Sequence, residues 1–291
     1  MHSHFPRLEI GPLSEYRADD IMISRFAQYL RAHQNLVFPH RHSFYQLVLF
    51  TSGAGSHTID FNSFDVRAFQ MYFMVPGQIH TWEFEGETEG YVVNFSESFF
   101  RSFLLQSDYL DSFSFFDGDS SHAVVQLPET MQGKIVGLFE ELLKYPLPIT
   151  SQQADLIRVL LLQLFLTIEQ SEAISAEQKR RAHKPQIIRD FQKLISQHYT
   201  TLRLPGEYAP LLHITPNHLN ALCKEHLGMQ AGALIRNRIT LEAKRLLTNA
   251  DLTISQISYA LNFSDNSYFT KYFKKETGVT PEGWREGVLK G

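Results

Sequence analysis

The stretch ISQISYALNFSDNSYFTKYFKKETGVTPEGWR, residues 254–285, predicts two helices joined by a tight turn. Residues 254–261 have the apolar spacing of a short helix. Asn262 opens the turn, because asparagine can adopt the left-handed conformation that usually requires glycine. Ser264 or Asp265 can cap the following helix. The spacing of that helix places three aromatic side chains on its buried face: Phe269, Tyr272 and Phe273. The pattern therefore predicts a helix-turn-helix unit.

The other face of the second helix carries side chains that suit double-stranded DNA. Asn266, Ser267 and Thr270 offer short amide and hydroxyl groups near the start of the helix, where they can contact base edges. Lys271 and Lys274 follow, and lysines suit contact with phosphate. We therefore interpret this helix as a recognition helix.

A second unit of the same plan lies upstream, over residues 207–226. Residues 213–216 make its turn, Leu219 and Leu222 are predicted to be buried, and Cys223 faces the core by spacing. Pro210 predicts that the first helix of this unit begins near Glu207, since proline is tolerated only in the first turn of a helix. The exposed positions are Asn217, His218, Asn220 and Lys224.

A single helix over residues 231–247 is predicted between the two units. Its length is about 25 Å, at a rise of about 1.5 Å per residue. Two units on such a connector can place their recognition helices in successive major grooves, about 34 Å apart.

The charge distribution supports a DNA partner for one half of the chain only. The 291 residues carry a net charge of −4, but residues 1–171 hold 10 Lys and Arg against 20 Asp and Glu, and residues 172–291 hold 17 against 11. A basic half joined to an acidic half indicates an anionic partner for the basic domain. The single cysteine excludes a disulfide framework. The sequence shows neither a membrane-spanning apolar run nor a signal pattern, which predicts a cytoplasmic protein without a membrane partner.

The first half reads as short strands separated by turn signals, which is typical of an antiparallel sandwich or small barrel. Asn62-Ser63 is predicted as a hairpin turn and Pro76-Gly77 as a second turn. Two amphipathic helices follow, one beginning at Pro128 and one capped by Ser151. The predicted strands cover residues 21–25, 44–51, 57–61, 64–67, 72–75, 79–84, 91–95 and 122–127, with a short helix over 26–32.

Histidines and a glutamine mark the interior of that domain. His40, His42 and Gln46 share one parity and therefore one face of a strand. His80 ends a later turn, and Trp82 is one of several aromatic residues that could line an apolar cavity. The two histidines, the glutamine and the distant Pro-Gly-x-x-His resemble the motifs of cupins, whose metal-dependent members bind a metal through three histidines and a carboxylate. Gln46 stands where that carboxylate would be, so both a polar pocket wall and a metal site remain open.

Residues 254–285, together with YAPLLHITPNHLNALCKEHLG at residues 208–228, resemble the signature of the AraC/XylS transcription regulators. The resemblance implies two helix-turn-helix units that contact DNA half-sites, and an N-terminal cupin barrel that binds an effector, followed by two dimerising helices. Its base-reading positions fall on Asn217, Asn220, Ala221, Asn266, Ser267 and Lys271. Its phosphate or flanking positions fall on Thr215, Lys224, Thr270 and Lys274. Ala221 stands where several members have arginine, and Asn262 where most have glycine.

We therefore predict an α+β multidomain protein: a cupin-like antiparallel β-barrel over residues 1–127, dimerisation helices over 128–170, a linker over 171–184, and an all-α DNA-binding domain with two helix-turn-helix units over 185–291. The expected function is a homodimeric transcription regulator, as an activator with RNA polymerase as a further partner, without catalytic residues, cofactor or metal. The expected small-molecule effector site comprises His40, His42, Gln46, His80 and Trp82. The alternatives are a metal-dependent cupin enzyme fused to a DNA-binding domain, and a constitutive regulator with a ligand-free barrel.

Overall fold

The computed structural model describes residues 7–8, 21–33, 39–101, 103, 109–145, 148–175 and 184–290. These residues form two compact units, and the second begins at Lys184. Most of the predicted linker over residues 171–184 lies outside the described residues. No helix in the described part of the chain is both long and apolar enough to cross a membrane.

The first unit contains two five-stranded sheets. Its strands are β1 (Arg7–Leu8), β2 (Ile21–Arg25), β3 (His40–His42), β4 (Tyr45–Ser52), β5 (Gly55–Ile59), β6 (Asn62–Asp65), β7 (Gln70–Met74), β8 (Ile79–Phe84), β9 (Glu89–Phe95) and β10 (Val124–Gln126). The first sheet has the order β1-β3-β8-β5-β6, and the second has the order β10-β7-β4-β9-β2. The pair β1–β3 is parallel, and the other strand pairs are antiparallel.

The helices of the first unit are α1 (Phe26–Ala32), α2 (Glu97–Arg101), α3 (Glu129–Leu142) and α4 (Ser151–Glu169). The two sheets face each other through apolar contacts, for example Phe50 against Phe84 with ring centroids 5.7 Å apart. The predicted cupin-like fold is confirmed, with a sandwich of two sheets in place of one closed barrel.

The second sheet is covered on both faces, which explains the unbroken apolar run of β4. Val48 and Phe50 pack between the sheets with Trp82. Leu47 and Leu49 alternate with them and pack on the opposite side, against α3 and α4. Successive residues of a strand point to opposite faces, so a strand between two apolar layers has no polar face to display.

Two details of the first unit differ from the sequence predictions. The hairpin between β5 and β6 turns at Asp60 and Phe61, which have φ of 46° and 75°, and the predicted turn residues Asn62 and Ser63 are paired within β6. The Asp60 carboxylate accepts a hydrogen bond from the Ile79 backbone N–H at 3.2 Å, which holds the turn in place.

The beginnings of α3 and α4 also lie one residue away from the predicted positions. Helix α3 begins at Glu129, with Pro128 as its N-cap. Helix α4 is capped by Thr150 in place of Ser151, through a reciprocal pair of hydrogen bonds with Gln153. This capping box satisfies two backbone N–H groups at the start of the helix.

The second unit is entirely helical and has its own apolar core. Its helices are α5 (Gln186–His198), α6 (Pro205–Tyr208), α7 (Pro216–Leu227), α8 (Ala231–Leu247), α9 (Ile254–Ala260), α10 (Asn266–Thr277) and α11 (Pro281–Lys290). Helix α8 has the predicted bounds and connects the two helix-turn-helix units. The first helix of the upstream unit begins at Pro205 and not at Glu207, and Pro210 lies in a 3₁₀ turn, Ala209–Leu212, that follows it.

Candidate functional site

The two recognition helices, α7 and α10, are built alike. Thr215 caps α7 by accepting from the His218 N–H at 3.2 Å, and Asp265 caps α10 by accepting from the Tyr268 N–H at 2.7 Å. Left-handed Gly228 and Gly278 end the two helices. Each position of α7 therefore corresponds to the position fifty residues later in α10. The buried pairs are Leu219 with Phe269 and Cys223 with Phe273.

The exposed faces of the two helices differ in charge. Lys224 and Lys274 correspond, but Glu225 of α7 corresponds to Lys275 of α10. Ala221 of α7 likewise corresponds to Lys271. Helix α10 thus presents three lysines, whereas α7 presents one lysine beside one glutamate. Positive charge is therefore concentrated on α10, the recognition helix of the downstream helix-turn-helix unit.

The structure divides the predicted DNA-contacting residues into two groups. Eight lie exposed on or beside the recognition helices: Thr215, Asn217, His218, Ala221, Lys224, Ser267, Lys271 and Lys274. Asn220, Asn266 and Thr270 are half-buried. The Asn220 Oδ1 atom accepts a hydrogen bond from the Ala231 N–H at 3.1 Å, at the first residue of α8. Asn266 Oδ1 is buried and has no hydrogen-bond partner among the described residues.

Tyr268 is an exposed residue of α10 that the sequence reading missed. Its side chain is 57 % exposed, beside Lys271 and Lys275 on the solvent face. Its place next to the buried Phe269 puts it at the edge of the apolar stripe. An exposed ring at this position adds an apolar and hydroxyl contact to the candidate interface.

Four histidines meet in the interior of the sandwich. His40 on β3 is paired in register with His80 on β8, and their ring centroids are 4.2 Å apart. The His42 ring centroid lies 5.0 Å from that of His80. The fourth histidine, His57 on β5, places its Nε2 atom 3.3 Å from Nδ1 of His80. All four are fully or almost fully buried.

The second sheet faces these histidines with two carboxamides. Gln46 Nε2 donates to Asn94 Oδ1 at 2.9 Å, and also lies 3.4 Å from the hydroxyl of Tyr29 on α1. Both carboxamides are completely buried. Trp82 lies beside the histidines, with its ring centroid 4.8 Å from that of His80. The five predicted effector residues are therefore all buried in the interior of the first unit.

His57, Asn94 and Tyr29 belong to the same interior but were not predicted. His57 shares strand parity with the buried Ile59, and Asn94 is the one polar residue in the apolar run YVVNF. Both signals could have been read from the sequence. The position of Tyr29 depends on how α1 packs over the sandwich, which no local pattern specifies.

Several buried polar atoms in this interior have no hydrogen-bond partner among the described residues. They are His42 Nε2, His57 Nδ1, His80 Nε2, Gln46 Oε1, Trp82 Nε1 and Asn94 Nδ2. Leaving one such group unsatisfied costs about 1–3 kcal/mol, and native folds contain few of them. The concentration of these atoms in one place makes this interior the candidate site of the first unit.

Burial keeps His42, His57 and His80 neutral. It lowers the pKa of His42 to about 3 and the pKa values of His57 and His80 well below 6.5, and the neighbouring histidines lower them further. A neutral imidazole offers one donor and one acceptor. Within the described ranges, no three His, Cys, Asp or Glu side chains converge in an arrangement that could hold a metal ion.

Comparison with known proteins finds relatives for both parts of the chain. The family model described as "AraC-like ligand binding domain" matches residues 23–178, and the one described as "Helix-turn-helix domain" matches residues 208–287. The transcriptional activator RhaR of Cronobacter sakazakii is 23% identical over 268 residues, which cover 89% of this chain and 90% of the relative. The regulatory protein PocR of Salmonella typhimurium is 27% identical over 120 residues, which cover 41% of this chain and 39% of the relative. The solved structure of ToxT from Vibrio cholerae is 14% identical, with a TM-score of 0.44, and the match covers 91% of this chain and 97% of that one.

A ligand-binding domain followed by a helix-turn-helix domain defines an effector-controlled transcription regulator. The chain belongs to the AraC family of these regulators.

Proposed function

We propose that this regulator binds operator DNA through both α7 and α10 and that a small molecule in the interior of the sandwich controls it. The observation that supports the effector site best is the set of buried, unpartnered polar atoms on His42, His57, His80, Gln46 and Asn94. The proposed effector-binding set is His40, His42, Gln46, His80 and Trp82, extended by His57 and Asn94.

The proposed DNA-contacting set is Thr215, Asn217, His218, Asn220, Ala221, Lys224, Asn266, Ser267, Thr270, Lys271 and Lys274. The lysines would neutralise phosphates, and the amides and hydroxyls would contact base edges. We assign residues 1–127 to sensing, 128–170 to dimerisation, 171–184 to the linker and 185–291 to DNA binding.

The effector assignment is tested by the thermal stability of the full chain against a panel of metabolites. A ligand at about 100 times its Kd raises the free energy of unfolding by about 2.7 kcal/mol. Gln46→Leu removes the carboxamide while retaining most of its volume, and should abolish this gain. Leu47→Met changes the next residue of β4, which faces the opposite side, and serves as the control. An equal gain in wild type and Gln46→Leu would contradict the site.

The outer surface of α4 supports the proposed homodimer. Leu156 and Val159 are 51% and 49% exposed on this helix, although both are large and apolar. Val159 lines a groove of about 670 Å³ between α3 and α4, together with Met131, Leu162 and Leu166. Burying such a surface against a second copy of the chain would remove its apolar area from water.

We further propose activation of transcription, through contact with RNA polymerase, in the cytoplasm, where a bacterial chromosome lies. The support is that RhaR, a relative along most of its length, is an activator. We assign no catalysis to the interior, because Gln46 occupies the position of the cupin carboxylate. Stoichiometric iron or manganese in the purified protein would favour the metal-dependent alternative.

A further inference from the structure

The loop of residues 199–204, between α5 and α6, lies against the turn of the second helix-turn-helix unit. Asn262 Nδ2 donates to the Thr200 carbonyl at 3.1 Å. In the opposite direction, Arg203 Nη2 donates to the carbonyls of Leu261 and, at 3.2 Å, Asn262. The loop before the upstream helix-turn-helix unit is therefore joined directly to the downstream unit, in addition to the connection through α8.

The Arg203 guanidinium occupies a position where a helix end needs a donor. Leu261 is the C-cap of α9, and the last carbonyls of a helix have no partner within it. A cation at this end also interacts favourably with the helix dipole. The guanidinium carbon lies 4.2 Å from the ring centroid of Phe263, which in turn packs on Phe269 of α10. Arg203 thus contacts both the end of α9 and the residue on which α10 rests.

The loop that carries Arg203 is held on its own side. Glu207 Oε2 accepts hydrogen bonds from the backbone N–H groups of Arg203 and Leu204, both at 2.7 Å. The Tyr208 hydroxyl donates to the Leu202 carbonyl at 2.9 Å. Because α6 fixes the backbone of Arg203, the contacts of this side chain can fix the position of the downstream helix-turn-helix unit relative to the upstream one.

Each recognition helix is also tied separately to the connector. Asn220 of α7 accepts from Ala231 at the start of α8, as described above. Tyr272 of α10 donates to the Arg236 carbonyl at 3.0 Å, and Arg236 Nε lies 3.3 Å from Glu276 Oε1. The loop contacts with Asn262 complete a closed path from one recognition helix to the other.

We propose that Arg203 is a positioning residue that sets the distance and rotation between the two recognition helices, and hence the half-site spacing that the protein accepts. The inference rests on the proposed binding of DNA by both helices. One base pair of extra spacing moves a half-site by about 3.4 Å and rotates it by about 35°. Two rigidly joined helix-turn-helix units bind DNA with altered half-site spacing poorly, whereas two loosely joined units can still bind it.

The test uses duplexes that the full-length wild-type protein selects from a random DNA library. Derivatives of the selected duplex gain or lose one base pair between the half-sites, and another retains only the half-site bound by α10. We expect the wild type to bind the parent duplex at least about tenfold more tightly than either spacing derivative, a difference of about 1.4 kcal/mol. Arg203→Ala should narrow this ratio to about threefold or less while changing the affinity for the single half-site by no more than about twofold.

Asn262→Gly provides a second variant that preserves the turn. Glycine keeps the left-handed backbone that Asn262 adopts at φ 58°, but it removes the donor to Thr200. It should narrow the spacing ratio as Arg203→Ala does. Lys193→Ala removes one exposed positive charge from α5 and should leave the ratio unchanged.

Three results would overturn the inference. The first is full spacing discrimination in both Arg203→Ala and Asn262→Gly. The second is that Arg203→Ala loses affinity equally for the single half-site and for the whole operator. That result would mean that Arg203 supports only the folding of the downstream helix-turn-helix unit. The third is a wild type without spacing preference, which would also refute two-helix binding itself.

Discussion

The Nε2 atom of His57 lies 3.3 Å from the Nδ1 atom of His80 inside the sandwich, and both rings are buried and neutral. The unfolded chain binds protons on these rings near their ordinary pKa of about 6.5, whereas the folded chain does not. The contribution of these neutral rings to the free energy of unfolding is therefore fully present above about pH 6.5. It is lost as the pH falls towards the lowered pKa values of the folded state.

We expect the free energy of unfolding to decrease between about pH 6.5 and about pH 5, by up to about 1.4 kcal/mol per pH unit for each buried histidine. Denaturant unfolding of the full chain measures this slope. The slope should be smaller in His57→Gln, since one proton-binding group is absent from the unfolded state. His218→Gln, at an exposed position of α7, is the matched control. An unchanged slope in His57→Gln would show that His57 does not resist protonation.

The second prediction concerns the unequal charge of the recognition helices. Lys275→Glu should weaken DNA binding and reduce the slope of log K against log salt by about 0.9 or more, because at least one phosphate contact is lost. Glu225→Lys, at the equivalent position of α7, should increase that slope by a similar amount. Titration of a labelled duplex at several salt concentrations measures both, and Lys193→Ala serves as the control. If neither variant changed the slope of log K against log salt, neither Lys275 nor Glu225 would lie close to phosphate.

The third prediction separates two roles of Asn220. Its Oδ1 atom accepts from the first N–H of α8, and the residue before α8, Gln230, forms no side-chain cap. Asn220→Ala should therefore lower the free energy of unfolding by about 1 kcal/mol, as the loss of a helix cap does. Asn220→Asp keeps the acceptor and should retain most of that stability.

Asn217→Ala supplies the comparison on the same helix, because Asn217 is exposed. It should change the stability by less than about 0.5 kcal/mol while still weakening operator binding. Equal stability of Asn220→Ala and wild type would assign Asn220 to base contact only.

The fourth prediction tests the apolar surface of α4. A double variant, Leu156→Glu and Val159→Glu, should convert the dimer to a monomer, because two charges in a paired apolar surface are costly to bury. Sedimentation equilibrium measures the change in mass. The variant should remain folded, since both side chains are about half exposed in one copy of the chain. Leu211→Glu places a charge at an exposed leucine of the second unit and should leave the mass unchanged. Persistence of the dimer in the double variant would place the interface elsewhere.

Sequence periodicity predicted the elements whose signals are local. The bounds of α8 and the left-handed Asn262 follow from apolar spacing and turn chemistry. These properties depend on residues within a few positions of one another, so one sequence suffices to read them. The predicted single strand face of His40, His42 and Gln46 is wrong: the two histidines lie on β3 of the first sheet and Gln46 on β4 of the second.

The remaining features depend on contacts between distant segments. The hairpin turns at Asp60 because its carboxylate binds Ile79, which belongs to another strand. His57 joins the histidine cluster only because β5 and β8 pair in the observed register. Asn220 reads as a DNA-contacting position by spacing, yet its bond to Ala231 depends on the angle between α7 and α8. Such features require the tertiary structure.

The two-sided burial of β4 has a consequence for how this protein tolerates mutation. Along this strand, the inward positions Gln46 and Val48 border the proposed effector site, whereas Leu47 and Leu49 contact the helices. A saturation scan of the strand would therefore yield phenotypes that alternate residue by residue. Substitutions at even-numbered positions would change the response to the proposed effector, and those at odd-numbered positions would change helix packing and protein abundance. A variant with altered ligand selectivity and normal abundance should thus be sought among the even-numbered positions alone.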